Sequence, residues 1–227
     1  MNRKISLSDL SSIDISNYKG LLIDIDDTLY SYESAHNIAI DKCAIKFKEE
    51  LPSQEDLDEE SFKIIYRDCR NKVTKRLDSN GSCRSRLLAF QLLFESLRAF
   101  NPLDSYKYSL DFEEYYWSIL IENIERNEQM YIFVQRCLAQ GHKVCAISDM
   151  QTSFQIRKMI KMDYKDILLV TSEEVGVEKP DKLIFQYALK KIGLTSDEVI
   201  MIGDSYSKDI VGAENIGIKS YQISLND

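Results

Sequence analysis

The chain has 227 residues, enough for one large domain or for a core domain that carries a smaller one. Asp and Glu total 37 against 29 Lys and Arg, and this net charge of -8 opposes the counterion release on which nucleic-acid binding depends. The five cysteines are scattered and lack CxxC spacing, which argues against a zinc cluster and a disulfide framework. We therefore expect reduced thiols and no nucleic-acid partner.

The apolar runs of the chain are all shorter than a membrane span, which needs about 18 residues or more. The first residues also lack the long apolar segment of a secretory signal. The sequence therefore predicts no membrane partner and a cytoplasmic location.

The first predicted element is a strand from Gly20 to Ile25 that leads into three closely spaced carboxylates, Asp24, Asp26 and Asp27. Like charges this close raise one another's pKa unless a cation lies among them, and Mg²⁺ prefers such oxygen ligands. Because side chains alternate along a strand, Asp24 and Asp26 should lie on one side and converge on one metal ion and one substrate. We interpret Asp27 as a turn or helix-cap residue.

Residues 33–129 have a different character, with helical spacing of their apolar residues and many Tyr and Phe. Helices are predicted at Arg86–Leu97 and Asp111–Glu125, and we expect their aromatic stripes to pack against other helices rather than form a ligand cage. So long a segment is not an ordinary connection between strands. The sequence therefore predicts a helical domain at 33–129, inserted into a core domain of residues 1–32 and 130–227.

Beyond residue 130, short apolar runs alternate with amphipathic stretches, which is typical of βαβ units and a parallel sheet. The clearest helix is Pro180–Ile192, with Pro in its first turn and Gly193 at its end. The predicted strands are Lys143–Ile147, Asp166–Val170, Glu198–Ile202 and Lys219–Ile223. The predicted fold is therefore α/β, a doubly wound parallel sheet with a smaller α-helical domain.

Ligands of open parallel sheets bind beyond the carboxyl ends of the strands, so polar residues at these ends are the first candidates for a site. Four such places stand out. They are Asp24 with Asp26, Ser148 with Asp149, Lys179 before the predicted helix, and Gly203–Asp209.

In their order and context these segments resemble the four motifs of the haloacid dehalogenase superfamily, in its phosphatase branch with a helical cap inserted after the first motif. The DxDxT motif is matched by Asp24–Thr28 and the strand-ending Ser or Thr by Ser148. The lysine before a helix is matched by Lys179, and the GDxxxxD motif by Gly203–Asp209. The resemblance covers residues 18–32 and 130–227 and does not extend closely to the insert.

This resemblance implies a Rossmann-like core and a Mg²⁺-dependent phosphomonoester hydrolase that acts on a small phosphorylated metabolite. Asp24 would be the nucleophile that forms an aspartyl-phosphate, and Asp26 would be the general acid and base. The residues that would bind the substrate phosphate are Thr28, Ser148, Asp149 and Lys179.

The resemblance also implies a metal site. Asp24 and Asp204 would hold the ion with their carboxylates, and Asp26 would contribute its backbone carbonyl. Asp209 would support the site, either by binding the ion through water or by holding Lys179 in place.

Within the insert, Ser79–Arg86 is the most promising segment for substrate selection. Its glycine permits a tight turn before a helix, and Arg84 and Arg86 could meet an anionic or hydroxylated leaving group. A solvated basic loop with a Ser that caps the next helix explains the same residues.

Several alternatives to a phosphatase use similar residues. A dehalogenase is disfavoured because that branch normally lacks the second acid, here Asp26. A phosphomutase or phosphotransferase stays open, since it differs in whether water or a sugar hydroxyl reaches the phospho-aspartate. A receiver domain is opposed by the helical insert and by the additional acid Asp204, and a non-catalytic phospho-ligand-binding descendant could dispense with acids that are all present here.

Overall fold

The computed structural model describes residues 4–51, 57–78, 82–97 and 101–225. The chain divides into two compact units, a core unit of Met1–Tyr32 with Ile124–Asp227 and a helical unit of Glu33–Asn123. The boundary expected at residue 130 falls inside the helix Glu128–Ala139, and the division at Ile124 leaves that helix whole.

A parallel sheet forms the centre of the core unit. Among the described residues its strands are β1 (Lys4–Ile5), β2 (Gly20–Ile23), β3 (Lys143–Ser148), β4 (Leu168–Thr171), β5 (Val199–Gly203) and β6 (Lys219–Ile223). They lie in the order β1-β6-β5-β2-β3-β4, and every neighbouring pair is parallel. The carboxyl ends of all these strands therefore share one edge of the sheet.

The α-helices of the described residues are α1 (Tyr32–Glu50), α2 (Glu59–Arg76), α3 (Arg86–Ser96), α4 (Pro102–Glu122), α5 (Glu128–Ala139), α6 (Thr152–Lys161), α7 (Ser172–Val175), α8 (Lys182–Ile192) and α9 (Val211–Glu214). Short 3₁₀ helices occur at Leu7–Ser12 and Ser196–Glu198, and a π-helical turn occurs at Tyr206–Ile210. None of the helices in these ranges is both long and apolar enough to cross a membrane.

The predicted doubly wound α/β fold is confirmed, with differences at element ends. The four strands predicted after residue 130 are present as β3 to β6, each displaced by no more than two residues. The prediction that β2 continues to Ile25 is wrong. The N–H groups of Thr28 and Leu29 donate to the Ile25 carbonyl at 3.3 and 2.9 Å, so the chain turns away from the sheet there.

Helix α8 covers one face of the sheet. It begins at Lys182 rather than at Pro180, because the Asp181 side chain caps it by accepting from Leu183 N–H at 2.8 Å. It ends at Gly193, whose φ of 66° suits a residue without Cβ. The apolar cluster between α8 and the sheet includes Leu22, Cys145, Ile147, Val170, Ile184, Phe185, Ala188, Leu189 and Met201.

The helical unit is built on aromatic packing. The predicted helix Arg86–Leu97 is present as α3, and the predicted helix Asp111–Glu125 is the second half of the longer α4. The Phe112 ring lies 5.0 Å from the ring of Phe94, 6.0 Å from that of Phe90 and 6.1 Å from that of Phe62. All four rings are buried, so the aromatic stripes serve helix packing as expected.

Candidate active site

Three of the predicted segments meet at the carboxyl edge of the sheet. Asp24 directly follows β2, Ser148 ends β3, and Asp204 directly follows β5. The Asp24 N–H donates to the Ile202 carbonyl at 3.0 Å, which extends the pairing of β2 with β5 by one residue. This hydrogen bond therefore fixes the backbone of Asp24 against strand β5.

An acidic cluster lies at this edge. One carboxylate oxygen from each of Asp24, Asp204 and Asp209 lies within 4.8 Å of the others. Asp24 and Asp209 are buried and Asp204 is half-buried. Oxygen ligands at this separation suit a hard cation such as Mg²⁺. The carboxylate of Asp26 is not in this group, so any contact of Asp26 with an ion would come from its backbone carbonyl.

Asp209 reaches the cluster because of the turn that follows β5. Its carboxylate accepts from Ser205 N–H at 3.0 Å, and its own N–H donates to the Ser205 carbonyl at 2.8 Å. The carboxylate lies where a Cβ on residue 203 would be, so the side chain fits only because that residue is Gly203. The GDxxxxD pattern thus has a steric basis in this chain.

Lys179 links the acids. Its buried ammonium donates to Asp24 Oδ1 at 2.5 Å, to Asp209 Oδ1 at 2.7 Å and to the Ile147 carbonyl at 3.1 Å. Burial alone would lower the pKa of Lys179, but the carboxylates of Asp209 and Asp24 raise it well above its ordinary value. The side chain is therefore a fixed positive charge between two acids.

Two acids of the cluster, Asp24 and Asp204, have raised pKa values. Burial raises the pKa of Asp24 well above its ordinary value, Lys179 opposes this, and the charges of Asp209, Asp204 and Asp26 add to it. Burial and the charge of Asp209 raise the pKa of Asp204 to about 6, against the attraction of Lys179. A bound cation would offset this mutual repulsion.

The Asp26 carboxylate has hydrogen-bond partners different from those of Asp24. Its Oδ1 accepts from Lys158 Nζ at 2.6 Å and from the Tyr30 hydroxyl at 2.5 Å, and its Oδ2 accepts from Gln155 Nε2 at 2.9 Å. Burial works to raise the pKa of Asp26, but the charge of Lys158 and these hydrogen bonds together lower it. Hydrogen-bond donors therefore surround the Asp26 carboxylate and lower its pKa, whereas neighbouring acids help to raise the pKa of Asp24.

Two predicted phosphate-binding hydroxyls lie in this part of the core unit. Ser148 is buried, and its Oγ accepts from Gln155 Nε2 at 2.5 Å. Thr28 is fully buried, and its Oγ1 has no hydrogen-bond partner among the described residues. A buried hydroxyl without a partner is costly, which is consistent with a ligand contact at Thr28.

The carboxylate of Asp149, also predicted to bind phosphate, is occupied otherwise. It accepts from Lys179 N–H at 2.8 Å and from Lys208 Nζ at 2.7 Å. An ionised carboxylate only accepts hydrogen bonds and repels phosphate, so any contact of Asp149 with phosphate would come from its backbone N–H. Its side chain instead fixes the backbone that carries Lys179.

Asp27 has the turn and cap role that was predicted for it. Its φ is 59°, and its carboxylate accepts from the N–H of Tyr32, the first residue of α1, at 2.9 Å. Asp27 thus ends the motif and starts the next helix.

The segment proposed to select substrate is described only in part, because residues 79–81 of Ser79–Arg86 lie outside the described residues. Ser85 caps α3 by accepting from Leu88 N–H at 3.3 Å. Arg86 is only 2% exposed, with its guanidinium 5.8 Å from the Tyr116 ring centre and 6.0 Å from that of Trp117. Arg84 is half-buried, and its carbonyl accepts from Arg86. A role of either arginine in specificity stays a prediction.

The sequence reasoning missed the donors that hold Asp26. Gln155 and Lys158 are both on α6, and they share a helical face with Met159 and Met162 by their spacing. A Gln and a Lys on the otherwise apolar face of an amphipathic helix were the available signal, because such groups are buried only with partners.

The chain is similar in sequence to known proteins. Residues 18–217 match the family model of haloacid dehalogenase-like hydrolases. The chain is 29% identical over 203 residues to a ribulose-1,5-bisphosphate 5-phosphatase of Halopiger xanaduensis, covering 88% of this chain and 82% of the relative. It is 27% identical over 207 residues to a glyceraldehyde 3-phosphate phosphatase of Methanocaldococcus jannaschii, covering 90% and 84%.

Among solved structures, a 2-haloacid dehalogenase of Pseudomonas syringae superposes with a TM-score of 0.71 at 20% identity. The match covers 89% of this chain and 85% of that structure. At this level of identity the likeness concerns the fold.

Proposed function

The chain belongs to the haloacid dehalogenase-like hydrolase family, and we propose that this phosphatase hydrolyses a small phosphorylated metabolite with Mg²⁺ and through an aspartyl-phosphate. The observation that carries the proposal is the placement of Asp24. Its carboxylate is buried at the carboxyl edge of the sheet, bonded to Lys179 and grouped with Asp204 and Asp209. A nucleophilic carboxylate needs such a dry site with positive charge beside it.

In the first step an Asp24 oxygen attacks phosphorus, a new O–P bond forms, and the bond from phosphorus to the leaving oxygen breaks. The donors around Asp26 favour its ionised form. The protonated fraction of the enzyme therefore enters this step, in which Asp26 gives its proton to the departing alkoxide. In the second step Asp26 takes a proton from water, the water oxygen attacks phosphorus, and the bond to Asp24 breaks. Inorganic phosphate leaves and both carboxyl groups return to their starting forms.

The remaining residues of the site balance the negative charge of the phosphoryl group. The Lys179 ammonium and the Ser148 and Thr28 hydroxyls are the donors for its oxygens. Lys179 also reduces the repulsion between the dianionic substrate and the attacking carboxylate. Mg²⁺ held by Asp24, Asp204 and the supporting Asp209 would supply further charge neutralisation for the phosphoryl oxygens.

The relatives support a proposal for the substrate class. The two curated relatives named above are phosphatases of ribulose 1,5-bisphosphate and of glyceraldehyde 3-phosphate, which are both small phosphorylated sugars. We therefore propose a short sugar phosphate as the substrate. A panel of phosphorylated sugars, nucleotides and cofactor precursors would identify the preferred ester.

The test is phosphate release from p-nitrophenyl phosphate and from this panel, with purified protein and Mg²⁺. We expect Asp24→Asn to abolish turnover while the circular dichroism spectrum is preserved, and excess chelator to stop the wild-type reaction. Asp163→Asn is the matched control, because Asp163 is exposed and its φ of 62° is one that Asn tolerates. Full activity of Asp24→Asn, or an unchanged rate in chelator, would contradict the proposal.

A further inference from the structure

Helix α6 presents two polar side chains to the interior of the core unit. Gln155 and Lys158 are both fully buried, and they are three residues apart on one helical face. A buried amide and a buried ammonium are costly unless each is hydrogen-bonded. The hydrogen-bond partners of Gln155 and Lys158 therefore indicate what these buried side chains do.

Gln155 connects two groups of the active site. Its Nε2 lies 2.9 Å from Asp26 Oδ2 and 2.5 Å from Ser148 Oγ, so one amide nitrogen uses both of its hydrogens on these two residues. The orientation of the amide is fixed, since an ionised carboxylate only accepts and requires the nitrogen to face it. Ser148 Oγ then accepts from Gln155, and the hydroxyl hydrogen of Ser148 is left to donate to a phosphoryl oxygen.

Lys158 holds the other oxygen of Asp26. Its Nζ lies 2.6 Å from Asp26 Oδ1, and the Tyr30 hydroxyl donates to the same oxygen at 2.5 Å. The ammonium also lies 5.5 and 5.6 Å from the ring centres of Tyr30 and Tyr32. The Lys158 side chain is 0% exposed while that of Asp26 is 26% exposed. The lysine therefore contacts the carboxylate from the protein interior, and part of the carboxylate stays accessible to solvent.

We propose that Gln155 and Lys158 are positioning residues that fix the orientations of the Asp26 carboxylate and the Ser148 hydroxyl relative to each other. Helix α6 would thereby orient both the group that transfers the proton and a group that binds the phosphate. This inference rests on the proposed phosphatase function and adds to it two residues outside the four motifs. Neither residue contacts the substrate in this scheme. Each acts by fixing the direction of a group that does, and small errors of direction are costly in catalysis.

The first experiment compares kcat/KM of Lys158→Met and Gln155→Met for two kinds of ester. An alkyl phosphate needs a proton from Asp26 on its leaving oxygen, whereas p-nitrophenyl phosphate has a good leaving group and needs it far less. We expect Lys158→Met to reduce kcat/KM about 30- to 100-fold for glycerol phosphate or the best alkyl ester, and less than about 5-fold for the aryl ester. Gln155→Met should reduce kcat/KM for both esters, because it also removes the hydrogen bond that orients the Ser148 hydroxyl. The larger loss should again be on the alkyl ester.

The matched control is Lys161→Met, since Lys161 is on the same helix but exposed. It should reproduce wild-type kinetics on both esters. Both Met variants preserve side-chain length, and circular dichroism with thermal melting establishes that they are folded. If one variant does not fold, the other carries the test.

A double-mutant cycle separates positioning from packing. In an Asp26→Asn background, Lys158→Met should lower the residual kcat/KM for p-nitrophenyl phosphate less than 2-fold, because the group that Lys158 positions has already been changed. A residue that only supports the fold would impose the same loss in both backgrounds.

The inference is overturned by equal losses on the two esters, by losses that multiply fully in the Asp26→Asn background, or by wild-type kinetics in both variants. These results are distinct from failure of the proposed function, which would appear as absent wild-type phosphatase activity or as an active Asp24→Asn variant.

Discussion

Lys179 lies between the buried carboxylates of Asp24 and Asp209, and its positive charge opposes the rise in the pKa of Asp24 that burial and the neighbouring acids cause. The three side chains form a compact unit in which each charge is satisfied by another. Removing one member of such a buried group leaves an uncompensated charge, which is far more costly than the loss of an exposed ion pair. The site residues are therefore also stability determinants of the core unit.

Replacing Lys179 by methionine should expose both functions of the lysine. We expect loss of turnover of at least about 100-fold, since the positive group proposed to bind the phosphoryl oxygens is gone. Without added metal, urea unfolding should show a decrease of about 3–5 kcal/mol in the free energy of unfolding. Lys182→Met, at an exposed position, should change neither quantity. A Lys179→Met protein with wild-type stability in chelator would contradict the role of the ammonium between the acids.

The positions of individual candidate residues could be predicted where the signal was local. Asp24, Ser148 and Asp204 stand directly at strand ends, and a parallel sheet brings such positions to one edge. Lys158 and Gln155 gave a weaker signal, because their shared partner Asp26 is more than one hundred residues away in sequence and a Lys in a helix is ordinarily exposed. Only the packing of α6 shows that they are buried against Asp26.

At the scale of elements, the turn after β5 is sterically constrained. A Cβ at position 203 would overlap the Asp209 carboxylate. We predict that Gly203→Ala reduces turnover at least about 10-fold by displacing Asp209, and destabilises the protein by about 1–3 kcal/mol through overpacking. Steady-state kinetics and urea unfolding measure both effects.

Gly141→Ala is the control for this prediction. Gly141 has a φ of 84° and open space around its α-carbon, so alanine there costs stability through backbone strain alone. This variant should be less stable than wild type yet equally active per folded molecule. Equal activity of Gly203→Ala and Gly141→Ala would show that the close approach of Asp209 is not required.

Element ends were less predictable from sequence than element types. β1 has only two residues, too few for an alternating pattern to be recognised. β2 ends at Ile23 because hydrogen bonds to the Ile25 carbonyl start a turn, whereas the apolar run continues to Ile25. α8 starts two residues after Pro180 because Asp181 provides the cap. In each case a local backbone interaction determined the boundary that hydrophobicity alone did not reveal.

Phe112 is the centre of packing in the helical unit, with three buried phenylalanine rings within 6.1 Å. Phe112→Ala should lower the free energy of unfolding by about 3–5 kcal/mol, from lost burial and the cavity left behind. Tyr106→Ala, on the same helix but 50% exposed, should cost less than about 1 kcal/mol. The comparison is made by urea denaturation, and similar costs for both variants would contradict a tightly packed aromatic core.

For the whole molecule, the sequence could predict two units because the segment after the first motif is too long for a connection and changes from strand to helical periodicity. The position of the second boundary was less clear. The helical pattern continues from α4 into α5, and only the contacts of α5 with the sheet assign it to the core unit. Periodicity reports the type of an element, whereas its membership in a unit is decided by packing.

The acidic cluster should couple the stability of the whole molecule to pH and to metal. The pKa of Asp204 is raised from 3.8 to about 6 by burial and by Asp209, and that of Asp24 is raised as well. The folded protein thus holds these protons at pH values where the unfolded chain has released them. The contribution of Asp204 to stability is present below its unfolded pKa and is lost as pH rises from about 4 to about 6, and Asp24 contributes with the same sign.

Mg²⁺ should reverse this trend, because in the proposed site it would bind the ionised carboxylates and compete with their protons. We expect a saturating concentration of Mg²⁺ to raise Tm by several degrees at pH 7.5, consistent with about 2–3 kcal/mol of linkage at 100 times Kd, and by much less at pH 5. Thermal melting with Mg²⁺ or with chelator at both pH values measures the effect. Titration of other groups affects both samples equally at one pH, so it cancels in the difference between the Tm with Mg²⁺ and the Tm with chelator. Asp204→Asn removes one proposed ligand and one shifted pKa together, so it should lose most of the Mg²⁺ effect at pH 7.5. An equal Tm shift at pH 5 and pH 7.5, or a full shift in Asp204→Asn, would mean that the ion does not bind at this cluster.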